Sequence, residues 1–276
     1  MKLNKLILAA HDFSPSSKNA IKIAADIAFQ TNSKLFLYHV VSTSAFLEAE
    51  AMYIYNPDDD IKKASAWMRR AISYLKKNRP GLQIAFEIDY GFLMPVLMDK
   101  IQSMSPWLTV VGVKKRKGLD KVIFGDVCTT LAGKVRSPLL VVPINVKSFD
   151  VNMVAYGWDG KTAEVHQLNP IKELIGSKSN VQIKAVNVSH YDQDVEQNKS
   201  LFLGLLKKMF PNQLTGIHQI LGLDKEHEFE KAIQSMKPDV LVIYARHYNI
   251  WQSVFHKRFS KYAIKFTQIP VMIVSQ

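Results

Sequence analysis

The chain has 276 residues, of which 47% are hydrophobic and 22% are charged, a composition typical of a protein with packed cores. We find no apolar stretch of the roughly 18 residues that a transmembrane helix needs, and no secretory signal pattern at the start, where His11 and Asp12 follow a short apolar run. The single cysteine excludes an intrachain disulfide, so we expect a cytoplasmic protein without a structural metal.

The net charge of +12 is uneven along the chain. Residues 1–147 carry 21 Lys and Arg against 12 Asp and Glu, and residues 148–276 carry 15 against 12. The excess is therefore +9 in the first half and +3 in the second. A basic excess favours anionic partners such as nucleotides or nucleic acid, without selecting among them.

In the first half, short apolar runs alternate with segments of helical periodicity. Asp12, Ser14 and Pro15 supply a helix start after the first run, and we expect Pro95 to interrupt the third helix near its beginning. The predicted strands are 5–10, 34–41, 82–90, 108–113 and 138–143, and the predicted helices are 17–30, 64–77, 92–104 and 126–136. Continuous apolar strands alternating with helices predict an α/β fold with a doubly wound, mainly parallel sheet.

The second half repeats the first. IQSMSPWLTVVG (101–112) aligns with IQSMKPDVLVIY (233–244) at an offset of 132, and an offset of 147 places Asp12 on Asp159. A repeat of this length indicates one fold used twice. We therefore predict two tandem domains, 1–147 and 148–276, each with a five-stranded sheet and helices on both faces.

The segment 42–60 is much longer than its counterpart around residues 189–192 and ends in three consecutive aspartates. We interpret it as a surface loop over the carboxyl edge of the first sheet, and a lid or docking segment is the alternative.

The order of motifs resembles the universal stress protein family. The motifs are D-x-S after the first strand, H-V at the end of the second strand, and the VVG block followed by a helix and SPLLVVP. The resemblance covers nearly the whole chain and implies the tandem type of that family. It further implies that the fifth strands, 138–143 and 270–274, pair antiparallel so that one chain mimics the family's dimer, with a homodimer of the whole chain as the alternative.

The family's nucleotide motif, G-x2-G-x9-G-(S/T), is only half retained. Gly112 and Gly125 take the first and third glycine positions, but Lys115 replaces the second glycine and Asp126 replaces the hydroxyl residue. With Asp12 and Val40 at neighbouring strand ends, these four residues are the candidate ATP or AMP site that the resemblance implies. We expect Asp126 to cap the helix and compete with phosphates for its free N–H groups. ATP binding should therefore be weak or absent.

In the second half the offset of 132 replaces every motif residue, so no nucleotide site of this type is expected there. The residues at those positions are Tyr244, His247, Lys257 and Arg258.

No catalytic motif is found. Asp12 is interpreted as a helix-start residue rather than a partner of His11 in acid–base chemistry, Cys128 as a packing residue, and Trp67 and Phe202 as core aromatics. The preferred hypothesis is a non-enzymatic tandem universal stress protein that requires no cofactor and acts by binding. The alternatives are an ATP-binding or ATP-hydrolysing protein using Asp12, Lys115 and Gly125, and a nucleic-acid accessory using the basic first half. We expect neither a nucleic-acid nor a membrane partner.

Overall fold

The structure is a computed structural model that describes residues 5–42, 57–113, 126–160, 164–189, 193–222, 224–245 and 268–275. The described residues before position 148 form one compact unit (unit 1), and those from position 148 onward form another (unit 2).

Unit 1 is a five-stranded parallel sheet with four helices. The elements in chain order are β1 (Leu6–Ala10), α1 (Pro15–Gln30), β2 (Lys34–Ser42), α2 (Pro57–Lys77), β3 (Ile84–Gly91), α3 (Leu93–Met104), β4 (Leu108–Val113), α4 (Asp126–Lys134) and β5 (Leu139–Pro143). The strand order is β3-β2-β1-β4-β5, and every neighbouring pair is parallel. Because the chain reverses direction across the sheet after β3, right-handed crossovers place α1 and α2 on one face and α3 and α4 on the other.

Unit 2 repeats this topology. Its elements are β6 (Met153–Gly157), α5 (Val165–Ile175), β7 (Gln182–Ser189), α6 (Gln193–Met209), β8 (Leu214–Leu221), α7 (Lys225–Met236), β9 (Val240–Ala245) and β10 (Val271–Ser275). The order β10-β9-β6-β7-β8 is that of unit 1 with equivalent strands in equivalent places, again all parallel. The predicted α/β class with parallel, doubly wound sheets is confirmed.

The cores form where the sequence is continuously apolar. Ile7, Leu8 and Ala9 of β1 and Leu139–Val142 of β5 are all fully inaccessible to solvent. Strands of a parallel sheet are covered on both faces by helices, so both sets of alternating side chains must be apolar. This is why the strands appear in the sequence as uninterrupted apolar runs.

The position of α2 corrects two predictions, the extent of the loop 42–60 and the start of the second helix at residue 64. The helix begins at Pro57, so Asp58, Asp59 and Asp60 lie in its first turn and not in the predicted loop 42–60. Carboxylates there interact favourably with the partial positive charge of the helix N-terminus. Ser42 ends β2, and residues 43–56 lie outside the described residues.

The aromatic residues and Pro95 give a mixed outcome. Phe202 is buried as predicted, but Trp67 is 49% exposed, so its assignment to the core was wrong. Pro95 does not interrupt α3, because it lies in the first turn, where its missing N–H has no intrahelical acceptor. Among the described helices, none has the length and apolar character to span a bilayer.

Candidate functional site

The candidate site of unit 1 lies at the carboxyl edge of the sheet, where β1, β2 and β4 end. Asp12 follows β1, Val40 lies near the end of β2, and Gly112 lies near the end of β4. The side chain of Val40 is buried, and its backbone is in register with Asp89 of β3. Lys115 and Gly125 lie outside the described residues.

Asp126 is the first residue of α4, which corrects its assignment to the cap by one position. An acidic residue therefore stands in the first turn of α4, where the motif of the family has a hydroxyl residue. Acidic residues at a helix N-terminus disfavour a bound phosphate whether they occupy the cap or the first helical position.

Gly112 is fixed by a close contact with the start of α1. A Cβ added there would lie 2.4 Å from the backbone oxygen of Ser16 and 2.9 Å from the backbone nitrogen of Ser17. Any side chain at this position would collide with backbone, not with a movable side chain. The glycine is therefore required by packing, whether or not a ligand binds.

The polar groups at the start of α1 are engaged with one another. The backbone N–H of Ser14 donates to the carboxylate of Asp12 (3.0 Å), and the hydroxyl of Ser14 accepts from the N–H of Ser17 (3.3 Å). Asp12 thus forms the turn that leads into the helix, as the sequence predicted. His11 is buried and Asp12 is exposed, and the carboxylate of Asp12 accepts from the N–H of Ser14 in the turn before α1.

Two imidazoles lie behind this turn, of which that of His11 is buried and that of His39 is half-buried. Nδ1 of His39 donates to the carbonyl oxygen of His11 (2.6 Å), and the ring of Phe13 lies 4.5 Å from His39 and 4.8 Å from His11, measured between centroids. Burial lowers the pKa of His11 to about 4, and the nearby Asp12 carboxylate offsets part of this effect. Burial also lowers the pKa of His39. Both rings are therefore neutral at neutral pH.

Sequence reasoning missed this imidazole cluster. The signal was present, because His11 and His39 each stand near the carboxyl end of adjacent parallel strands. Parallel strands bring such positions together at one edge of the sheet.

Unit 2 closes the equivalent edge with side chains. Tyr244, which takes the place of Gly112, is buried, and its hydroxyl lies 3.1 Å from Nε2 of His166 at the start of α5. Nδ1 of His166 lies 3.2 Å from the carboxylate of Glu164. A neutral imidazole satisfies both contacts by donating from Nδ1 and accepting at Nε2. His247, Lys257 and Arg258 lie outside the described residues.

The thiol of Cys128 and the side chains that can ligate metals are the remaining reactive groups among the described residues. Cys128 is buried as predicted, and burial raises the pKa of its thiol to about 12, so it remains protonated and unreactive at neutral pH. Within the described ranges, no group of three or more His, Cys, Asp or Glu residues could hold a metal ion.

Comparisons with solved structures show the fold over the whole chain. A universal stress protein from Archaeoglobus fulgidus superposes with a TM-score of 0.72 at 12% identity, covering 99% of this chain and 97% of that one. A functionally unknown protein from Pseudomonas aeruginosa gives a TM-score of 0.60 at 11% identity, covering 98% and 92%. A universal stress protein in complex with cAMP matches 50% of this chain with a TM-score of 0.38, and we draw nothing from so low a score.

Of the two sequence comparisons, one gives a match. No curated protein sequence matches the chain. The profile of the universal stress protein family matches residues 4–143, which include the whole sheet of unit 1 and slightly more than half of the chain. The protein therefore belongs to the universal stress protein family.

Proposed function

We propose that this chain is a tandem universal stress protein that acts by binding, without catalysis, and that its first domain binds ATP weakly or not at all. The domains are 1–147 and 148–276. Support for the second domain comes from the sequence repeat and from the unit 2 sheet, whose strand order is the same as that of unit 1. We place the protein in the cytoplasm because its one cysteine fits a reducing compartment.

The observation that carries the proposal is the contrast within the nucleotide motif. Gly112 is retained, but its contact with Ser16 already explains why no other residue fits there. Lys115 and Asp126 replace the second glycine and the hydroxyl residue of the motif. The glycine that packing requires is kept, and two other residues of the family motif have changed. This pattern is expected of a phosphate loop that has lost its ligand.

Calorimetric titration with ATP tests the proposal. The parent chain should bind ATP more weakly than micromolar, and the double variant Lys115→Gly with Asp126→Ser should bind at least about tenfold more tightly, because it regains backbone access and a hydroxyl donor. The matched control is His247→Gly with Arg258→Ser at the equivalent positions of the second domain. It should gain nothing, because Tyr244 still occupies the place of the first glycine. Micromolar binding by the parent, or no gain in a folded double variant, would show that the proposal is wrong.

The family resemblance also leads us to propose that the fifth strands, 138–143 and 270–274, pair within one chain. A chain that fills its own dimer interface should remain a monomer. Light scattering after size-exclusion chromatography should then give 31.4 kDa at all practical concentrations. A mass twice as large would instead support a homodimer.

A further inference from the structure

A groove of unit 1 lies between α1 and α2 and extends to the turn before α1, where His11 and Phe13 line it. It has a cavity volume of about 540 Å³. Residues three and four apart on a helix lie on the same face, and one face of α1 and one face of α2 line the groove. The side chains that matter for binding are Phe13, Lys18, Lys22, Trp67, Arg70 and Tyr74.

The groove presents aromatic rings to solvent. Trp67 is 49% exposed and Tyr74 is 61% exposed, and they stand seven residues apart on the same face of α2. The Trp67 ring is held in place, because the ammonium nitrogen of Lys18 lies 4.9 Å from its centroid and the ring of Phe13 lies 6.1 Å away. A fixed and half-exposed indole is a preformed surface on which another flat ring can stack.

The groove is also positively charged. Lys18, Lys22 and Arg70 line it, and its lining contains no carboxylate. Across the described residues, none of these three cations forms an ion pair: Lys18 lies over Trp67, and Lys22 donates to the carbonyl oxygen of Lys147 (3.0 Å).

The nearest acid further along α1 is already neutralised. Asp26 lies one turn beyond Lys22, and its carboxylate accepts from Nε of the buried Arg79 at 2.9 Å. This ion pair joins the far ends of α1 and α2. Among the described residues that line the groove, no carboxylate neutralises its positive charge.

We propose that the groove binds a small organic anion that carries an aromatic ring. The ring stacks on Trp67 and Tyr74, and the carboxylate, sulfonate or phosphate of the ligand accepts hydrogen bonds from Arg70 and Lys22. The cavity volume falls in the range of small-molecule sites, roughly 300–1,000 Å³. This site goes beyond the proposed function, because it is lined mainly by α1 and α2 and its lining includes none of the candidate nucleotide residues Asp12, Val40, Gly112 and Asp126.

The probe for the test is 1-naphthoate, titrated into the full chain by calorimetry. The parent should bind it, and Trp67→Ala should weaken binding by about tenfold or more, as expected when one stacking contact is lost. Arg70→Gln should weaken it by about tenfold through loss of a charge-assisted hydrogen bond. The matched control is Arg69→Gln, which removes the neighbouring exposed arginine outside the groove and should leave the affinity unchanged.

Two further ligands separate the aromatic and ionic contributions. The neutral 1-naphthamide and the non-aromatic cyclohexanecarboxylate should each bind at least about tenfold more weakly than 1-naphthoate. Trp67→Phe should retain most of the affinity, which guards against an effect of misfolding in Trp67→Ala. The proposal is overturned if the parent does not bind 1-naphthoate at millimolar concentration, or if Arg69→Gln weakens binding as much as Arg70→Gln. It is likewise overturned if 1-naphthamide binds equally well, or if only a single-stranded oligonucleotide binds.

Discussion

The two units close the same junction, between the fourth strand and the first helix, in opposite ways. In unit 1 the absence of a side chain at Gly112 lets the backbone of α1 come into contact with β4. In unit 2 Tyr244 fills that position, and its hydroxyl contacts His166 of α5. The comparison shows that packing alone can require a glycine at this motif position. It also shows that a tyrosine at the equivalent position is compatible with the same strand order.

At a second junction, between the first and second strands, the two units make an equivalent hydrogen bond with different residues. His39 of β2 donates to the carbonyl oxygen of His11, and Asn187 of β7 donates to the carbonyl oxygen of Trp158 (2.9 Å). In both units the residue after the first strand also donates its N–H to the second strand, from His11 to Tyr38 and from Trp158 to Val186. The two units thus share this hydrogen bond, but only in unit 1 is its donor a titratable side chain.

The largest effect should come from Gly112→Ala. The added methyl group would lie 2.4 Å from the oxygen of Ser16, so α1 must move away from β4, and we expect a loss of at least about 3 kcal/mol in the free energy of unfolding. Urea denaturation followed by circular dichroism measures this loss.

The control for that variant is Gly204→Ala in α6, where an added Cβ meets nothing within 4 Å. Alanine favours a helix over glycine, so this change should raise stability by up to about 1 kcal/mol. Equal stabilities for Gly112→Ala and the parent would contradict the close approach of α1 to β4.

The second effect concerns pH. The pKa of His11 falls from 6.5 to about 4 on folding, so between these values the unfolded chain binds more protons than the folded one. The contribution of His11 to the free energy of unfolding is therefore present in full above pH 6.5 and is lost as the pH falls. The loss is about 2 kcal/mol at pH 5 for this one group. His11→Gln should remove that part of the pH dependence measured by urea denaturation between pH 7 and pH 5.

Other groups also titrate in this range, so the comparison must be made against a second histidine. His218 is exposed on β8, and His218→Gln makes the same exchange of residue type at the surface. A slope that is the same in all three proteins would show that His11 is accessible to protons in the folded state.

The sequence was sufficient for the fold and insufficient for the edges of the site. Apolar runs such as β5 predict the strands, because burial on both faces leaves little freedom in residue type, and the repeat of IQSM predicts that the fold is used twice. Trp67 was misassigned because an amphipathic stripe looks the same whether it faces a core or an open groove. The equivalence of His39 and Asn187 cannot be recognised in the sequence, because the two units share a hydrogen bond there and not a residue type.

The smallest effect should come from Tyr244→Phe. This change keeps the buried ring in the place of the missing glycine and removes only the hydroxyl that contacts Nε2 of His166. We expect a loss of about 1 kcal/mol, the net value of one hydrogen bond. The free energy of unfolding from urea denaturation should fall by this amount, without a change in the slope against urea concentration.

The matched control is Tyr90→Phe, because Tyr90 is 60% exposed and its hydroxyl is within reach of water. It should cost nothing measurable. His166→Ala should cost at least as much as Tyr244→Phe, because it also removes the contact with Glu164, and the double variant should cost little more than His166→Ala alone. If the two losses instead add, the hydroxyl of Tyr244 and the imidazole of His166 stabilise unit 2 separately, and the tyrosine closes the junction by packing alone.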